Sequence, residues 1–448
     1  MTAQSHRMIQ ESFAVLRPGP YIERDYQFVC TPPGPVMSKQ WTLFVAILFA
    51  GFAITLNPCL AQSVPESTED DWANTGRIES PAFDNPPEVL WSYGGEEKMW
   101  LGGIAIHDDV LVAIERTSNQ VFAINAETAE PIWEVPVGDV FSYGMGLKMT
   151  CDKEFDAVIV SCDSGLFALD RKTGEQLWNF ATEFGCDGPT IADDLVIAAG
   201  SDGNVYAVEL KTGKEKWRHD YLKDAPEDPP GFDGERARFT GRPARPKEAS
   251  TDGETVFVSI FDQCRTLAID IETGKRKWTF QTKGWTRSTP TVTEEAVFVA
   301  SQDKHFYAVD KETGEMKWKI KSQKWNSTSA AVADNEVVFG SNDGHLYCIL
   351  REMGASVWEF DLSMGGSERT GIYSRPLIAD RNTVYAASVK GTLHCIDLES
   401  GKSKWHFKPS VGSEITGDLH FDNGKLYLYT RGDGEDGEAA IFALGRKD

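Results

Sequence analysis

Two tryptophans 40 residues apart, Trp285 and Trp325, lie close to Arg287, Asn326, Tyr373 and Arg375 in a chain of 448 residues. An indole offers a flat apolar face that attracts cations, and a guanidinium grips carboxylates in a planar fork. Together these residues suit an anionic or planar ligand, or a peptide. Trp100, Tyr143 and Cys186 hold comparable places elsewhere in the chain. The same side chains can also serve as plugs of a channel or caps on strand edges, and both readings stand.

Other chemistries find little support in the spacing. The eight cysteines include no C-x-x-C, no adjacent pair and no C-x-x-C-H, so zinc, thiol redox and haem attachment lack their signatures. Cys151 and Cys162 could bridge in an oxidising compartment. His305 and His345 sit at equivalent turns without metal-ligand spacing. RGDGEDGE at 431–438 lacks the ligand order of a calcium loop. No glycine-rich phosphate loop opens a helix, and no Ser-His-Asp arrangement can be placed. The net charge of −23 argues against a nucleic-acid partner, which needs a basic face.

The elements that must position these residues repeat. Seven copies of one pattern run VFAINAETAEPIW, LFALDRKTGEQLW, VYAVELKTGKEKW, TLAIDIETGKRKW, FYAVDKETGEMKW, LYCILREMGASVW and LHCIDLESGKSKW. They end at Trp133, Trp178, Trp217, Trp278, Trp318, Trp358 and Trp405, with spacings of 45, 39, 61, 40, 40 and 47. Four short strands joined by tight turns need about 40–45 residues, the length of a propeller blade. Gly174, Gly213, Gly274, Gly314 and Gly401 end the connections, and Asp170, Asp270, Asp310 and Asp397 open them as acceptors for turn amides. Two apolar strands precede each copy, giving four per blade.

The ends predict closure. The chain finishes in AAIFALGRKD, a third strand with no Trp strand after it. EVLWSY at 88–93 is a Trp strand with nothing before it, and Trp91 lies 42 residues ahead of Trp133. The two fragments complete one blade. The expectation is an all-β, eight-bladed β-propeller over 88–448, with four-stranded antiparallel blades, closed by pairing the N- and C-terminal strands in one blade, which removes an exposed sheet edge.

The copy ending at Trp178 carries A-x-D-x-x-T-G-x-x-x-W at Ala168, Asp170, Thr173, Gly174 and Trp178, and those ending at Trp278 and Trp318 match as fully. Glu209, Leu350 and Cys395 are departures in other copies. The pattern resembles the tryptophan-docking motif of the PQQ-like, quinoprotein-type propellers. That family includes PQQ-dependent alcohol dehydrogenases, BamB-type subunits of outer-membrane protein assembly, and sensor domains of kinases. The dehydrogenases carry long insertions, a calcium site, a catalytic Asp and commonly an adjacent-cysteine disulfide. This chain shows none of these by motif. The resemblance therefore implies a non-catalytic, BamB-like scaffold without cofactor, binding envelope or secreted proteins or peptides and expected as a monomer. The alternatives are a PQQ- and calcium-dependent oxidoreductase and a ligand-sensing domain with a membrane partner.

Two further segments carry expectations. WTLFVAILFAGFAITL at 41–56, after Lys39 and before Cys59-Leu60-Ala61, has the order of an export signal. Residues 37–61 are read as a signal peptide or signal anchor, 1–36 as a non-native or disordered extension ahead of a start at Met37, and 62–87 as a flexible linker. The product would be periplasmic, extracellular or membrane-anchored. The 61-residue interval before Trp278 holds an insertion whose second half carries Arg236, Arg238, Arg242, Arg245 and Lys247. It suits a partner-binding loop or a tolerated surface insertion.

Overall fold

The structure is a computed structural model that describes residues 71, 74–78, 80–94, 99–137, 147–149, 155–223, 246–362, 371–372, 374–409, 413–415, 417–432 and 439–446. The chain divides into two units, Met1–Leu60 and Ala61–Asp448, and every described residue belongs to the second. The signal and the 1–36 extension, most of the insertion with its four arginines, Tyr143, Cys151, Tyr373 and 433–438 lie outside the described residues.

Eight sheets form; six are antiparallel sets of four consecutive strands, and the other two also take in a strand from the N-terminal part of the chain. Blade 1 is Leu101–His107, Val110–Glu115, Gln120–Asn125 and Pro131–Pro136. Blade 5, typical of the others, is Thr291–Val292, Ala296–Ala300, His305–Asp310 and Met316–Lys321. The second and third strands of each blade are almost wholly buried, as expected where both faces of a sheet meet neighbours. Eight apolar clusters result, one at each blade-to-blade interface. Val258 of blade 4 meets Ile197 of blade 3, for example, and Tyr427 of blade 8 meets Leu111 of blade 1.

Closure occurs as the ends of the sequence imply. The strand Glu88–Gly94 pairs antiparallel with Ala440–Gly445, placing Trp91 opposite Ala443 and Ser92 opposite Phe442. Lys425–Gly432 continues this eighth blade inward. Edge strands invite aggregation, and this pairing gives Ala440–Gly445 a neighbour on both sides.

Each repeat Trp locks its blade to the next. Trp133, Trp178, Trp217, Trp278, Trp318 and Trp358 donate Nε1–H to the carbonyls of Arg171, Leu210, Ile271, Lys311, Arg351 and Leu398, at 2.6–3.0 Å. In every case the acceptor follows the turn-opening position of the next blade. The indole lies on the turn glycine: a Cβ on Gly174 would sit 2.8 Å from Trp133 and one on Gly274 2.8 Å from Trp217. These glycines are needed twice over, for φ near +70° and for the docked ring. Asp170, Asp270, Asp310 and Asp397 accept the amide and hydroxyl of the Thr or Ser three residues on. Trp91 follows the same rule, donating to the Ala126 carbonyl at 3.0 Å.

Part of the 62–87 stretch, read as a flexible linker, is packed structure. Arg77–Ile78 adds a parallel fifth strand to blade 7 beside Leu377–Ala379. Ile78, Ala82 and Phe83 then pack into the interface of blades 7 and 8. Its Pro-rich, polar composition concealed these few anchoring residues.

Candidate functional site

The loops that lead from the outer strand of one blade into the inner strand of the next share a face with the turns that join second and third strands. One hydrogen bond recurs there. The amides of Arg116, Gln302 and Asn342 donate to the carbonyls of Trp100, Trp285 and Trp325, at 2.8, 2.8 and 2.9 Å. Ser201 and Val389 donate likewise to Gly185 and Gly371. Trp100, Trp285 and Trp325 thus hold one repeat position in blades 1, 5 and 6, with glycine there in blades 3 and 7.

The sequence-selected residues fall into different settings. Trp285 is half-buried with its ring 4.9 Å from that of Phe261, and the exposed Arg287 guanidinium lies 5.8 Å from the Phe261 ring centre. Trp325 is 49% exposed. Asn326 is fully buried: its amide donates to the Ser301 carbonyl at 3.1 Å and its Oδ1 accepts from the Ser322 hydroxyl at 2.8 Å. It acts as a strut of the loop.

Arg375 belongs to the chain's own N-terminal segment. Its guanidinium donates to Asp71 Oδ2 at 2.9 Å and to the Asn74 side-chain carbonyl. Asp71 also accepts from the Thr75 amide and hydroxyl and the Gly76 amide, at 2.7, 2.8 and 2.9 Å. Burial raises the Asp71 carboxyl, but Arg375 and these amides outweigh it and leave the group below the usual carboxylate range. The segment runs across three blades. Asn74 Nδ2 reaches the carbonyls of Thr289 and Pro290 in blade 5, the Thr75 carbonyl accepts from Val332 in blade 6, and the Gly76 carbonyl accepts from Ile378 in blade 7. An anion-binding role for Arg375 is already filled by Asp71.

A different cluster is open. Trp100, 47% exposed, has the Arg116 guanidinium 5.5 Å and the Arg431 guanidinium 5.1 Å from its ring centre. Arg116 and Arg431 occupy the same turn position in blades 1 and 8. Arg116 packs over Gly102, where a Cβ would lie 2.8 Å from Nε. Burial pulls the Arg116 guanidinium below its ordinary value, Arg431 adds to this, and Tyr429, Asp187 and Asp163 oppose it. Asp187 is itself paired with Lys247 at 3.1 Å. The Trp100 amide and those of Thr117 and Ser118 go to Glu115, so that carboxylate is saturated. A cavity of about 480 Å³ adjoins the cluster, lined by Tyr93, Met99, Phe122 and Ile132 among others. Sequence reading noted Trp100 but missed both arginines. The available signal was the turn position itself, which holds Ser201, Gln302 and Asn342 in other blades.

The described thiols are buried. Cys162, Cys186, Cys264, Cys348 and Cys395 are buried and free, so Cys162 forms no bridge. Burial pushes Cys186 up to about 12, Cys264 to about 11 and Cys395 to about 12. His305 and His345 contact the neighbouring Asp303 and Asp343. Among the described residues no three His, Cys, Asp or Glu side chains converge to hold a metal ion. No helix among them is long and apolar enough to cross a membrane.

A family model described as outer membrane protein assembly factor BamB matches residues 76–228 and 233–448. BamB of Burkholderia pseudomallei is 30% identical over 151 residues, 32% of this chain and 37% of that protein. Quinoprotein ethanol dehydrogenase of Pseudomonas aeruginosa is 29% identical over 175 residues, 36% of this chain and 26% of that protein. The matches thus span well under half of either relative. The crystal structure of BamB from Moraxella catarrhalis superposes with a TM-score of 0.58 at 19% identity, covering 80% of this chain and 98% of that one, a likeness of fold.

Proposed function

The chain belongs to the outer membrane protein assembly factor BamB family of PQQ-like propellers, and from that premise we propose that it is an exported, non-catalytic scaffold that binds other envelope proteins. The observation that carries this reading is the Asp71–Arg375 pair. In it the chain's own N-terminal segment neutralises an arginine that could otherwise have met an anionic ligand. Glu115 is likewise engaged, accepting from the amides of Trp100, Thr117 and Ser118. Loops on a rigid scaffold commonly carry recognition, and the loop face here presents aromatic and arginine side chains, the types enriched at interface hot spots.

Affinity purification of the tagged chain from its native envelope tests the proposal. A stoichiometric outer-membrane assembly component, recovered again when the tag is on that partner, is expected. Deleting 224–244 asks whether the insertion contributes. Recovery of the chain alone from intact envelopes would refute the reading. The alternative, a PQQ-dependent oxidoreductase, is favoured by the local match to the ethanol dehydrogenase.

A further inference from the structure

We infer that Trp100, Arg116 and Arg431 form a recognition site for carboxylates on an acidic segment of a partner protein. The inference deepens the scaffold reading and rests on it.

Both guanidiniums stand over one indole, contributed by adjacent blades. Like charges so placed repel, and a protein usually intersperses carboxylates between them. No carboxylate lies within ion-pair distance of either among the described residues. Of the acids that act on Arg116, Asp187 already holds Lys247 and Asp163 acts more weakly, while the adjacent Glu115 is consumed by the amides of its own turn. Arg116 Nε is buried with no acceptor. Two forks, one carrying an unused donor, match a carboxylate by geometry as well as charge.

Exposure selects the source of that anion. Small-molecule sites enclose most of their ligand, whereas Trp100 is 47% exposed and Arg431 lies open on the rim. An open Trp–Arg group suits a protein interface, where these residues are the commonest hot spots. The net charge of −23 does not preclude an acidic partner. Remote charges are screened beyond about 8 Å at physiological ionic strength, leaving the local pair dominant.

The test uses the full chain with ¹⁵N-labelled tryptophan, the Trp100 indole signal being assigned by Trp100→Phe. A blocked tetraglutamate peptide, a blocked tetralysine peptide and inorganic phosphate are titrated separately. Tetraglutamate should shift the Trp100 signal, and Arg116→Gln with Arg431→Gln should weaken it about tenfold or more. The melting temperature of the variant guards against misfolding, and each single variant should fall between. Equal response to tetralysine, or undiminished binding in a folded double variant, would overturn the site. Tighter binding of phosphate than of peptide would overturn the protein-carboxylate assignment. If tetraglutamate fails while the envelope partner still co-purifies, this site alone is wrong. If it binds while the chain also turns over a quinone, the scaffold reading alone is wrong.

Discussion

Trp405 donates its indole N–H to the carbonyl of Phe83, 2.9 Å away and 322 positions earlier in the chain. Six other repeat tryptophans find their acceptor in the next copy of the repeat, and Trp91 finds its acceptor in the first. For Trp405 the acceptor is instead a carbonyl of the N-terminal segment, just ahead of the strand Glu88–Gly94. The Phe83 amide in turn donates to the Tyr385 hydroxyl at 2.7 Å. The ring is thus secured twice by its N-terminal part, through the strand Glu88–Gly94 and through the approach to it.

Trp405→Phe keeps an aromatic ring but leaves the buried Phe83 carbonyl without its donor. A loss of about 1–3 kcal/mol is expected, measured by urea unfolding. Loss of the docked indole's packing adds to this. An unchanged midpoint would show that the carbonyl finds another donor and that the lock is dispensable.

Ala129 takes the position that glycine holds in the other copies, at φ +61°. A left-handed residue with a side chain costs about 1–2 kcal/mol, partly offset by the greater freedom glycine loses on folding. Ala129→Gly should therefore stabilise by up to about 1 kcal/mol. Gly274→Ala should do the opposite and more strongly, because its Cβ would meet Trp217 at 2.8 Å. Chemical denaturation of both variants separates backbone strain from ring contact.

Asp71 and Arg375 are coupled. Asp71→Asn removes the charge that faces a mostly buried guanidinium, with a loss of about 2–4 kcal/mol expected. Adding Arg375→Gln should restore part of it, since the uncompensated charge is then gone. Additive losses in the double-mutant cycle would contradict the coupling.

His394 makes stability depend on pH. Burial, with His406 adjacent, depresses its imidazole to about 4. Below the unfolded value near 6.5, the unfolded chain takes up a proton that the folded chain refuses. Stability from this group is complete above pH 6.5 and falls as the pH drops toward 4, by about 3 kcal/mol in all. The equivalent positions hold Phe122, Phe167, Tyr206, Leu267, Tyr307, Tyr347 and Phe442, so His394→Phe should fold and flatten the profile in that window. A profile unchanged by this substitution would assign the dependence to other groups.

The architecture was legible because it is periodic. The spacing of Trp133 to Trp405, the orphan strand around Trp91 and the orphan strand around Phe442 together imply eight closed blades. Asp71 and Phe83 were not legible: each acts singly, over more than 300 positions, within a polar segment that carries no repeat. The site was half legible. Trp100, Trp285 and Trp325 stood out by type and spacing, while Arg116 and Arg431 became equivalent only once strand pairing fixed their shared turn. Arg375 misled because a charged side chain in a loop says nothing of the partner that neutralises it.

The central claim is that this propeller recognises proteins and does not run quinone chemistry. Adding PQQ and Ca²⁺ to the purified chain, followed by gel filtration, quinone absorbance and dye-linked alcohol oxidation on the same fraction, tests it most directly. The account predicts that the absorbance separates from the protein and that no oxidation follows. Stoichiometric absorbance carried with the protein, together with alcohol-dependent dye reduction, would contradict it.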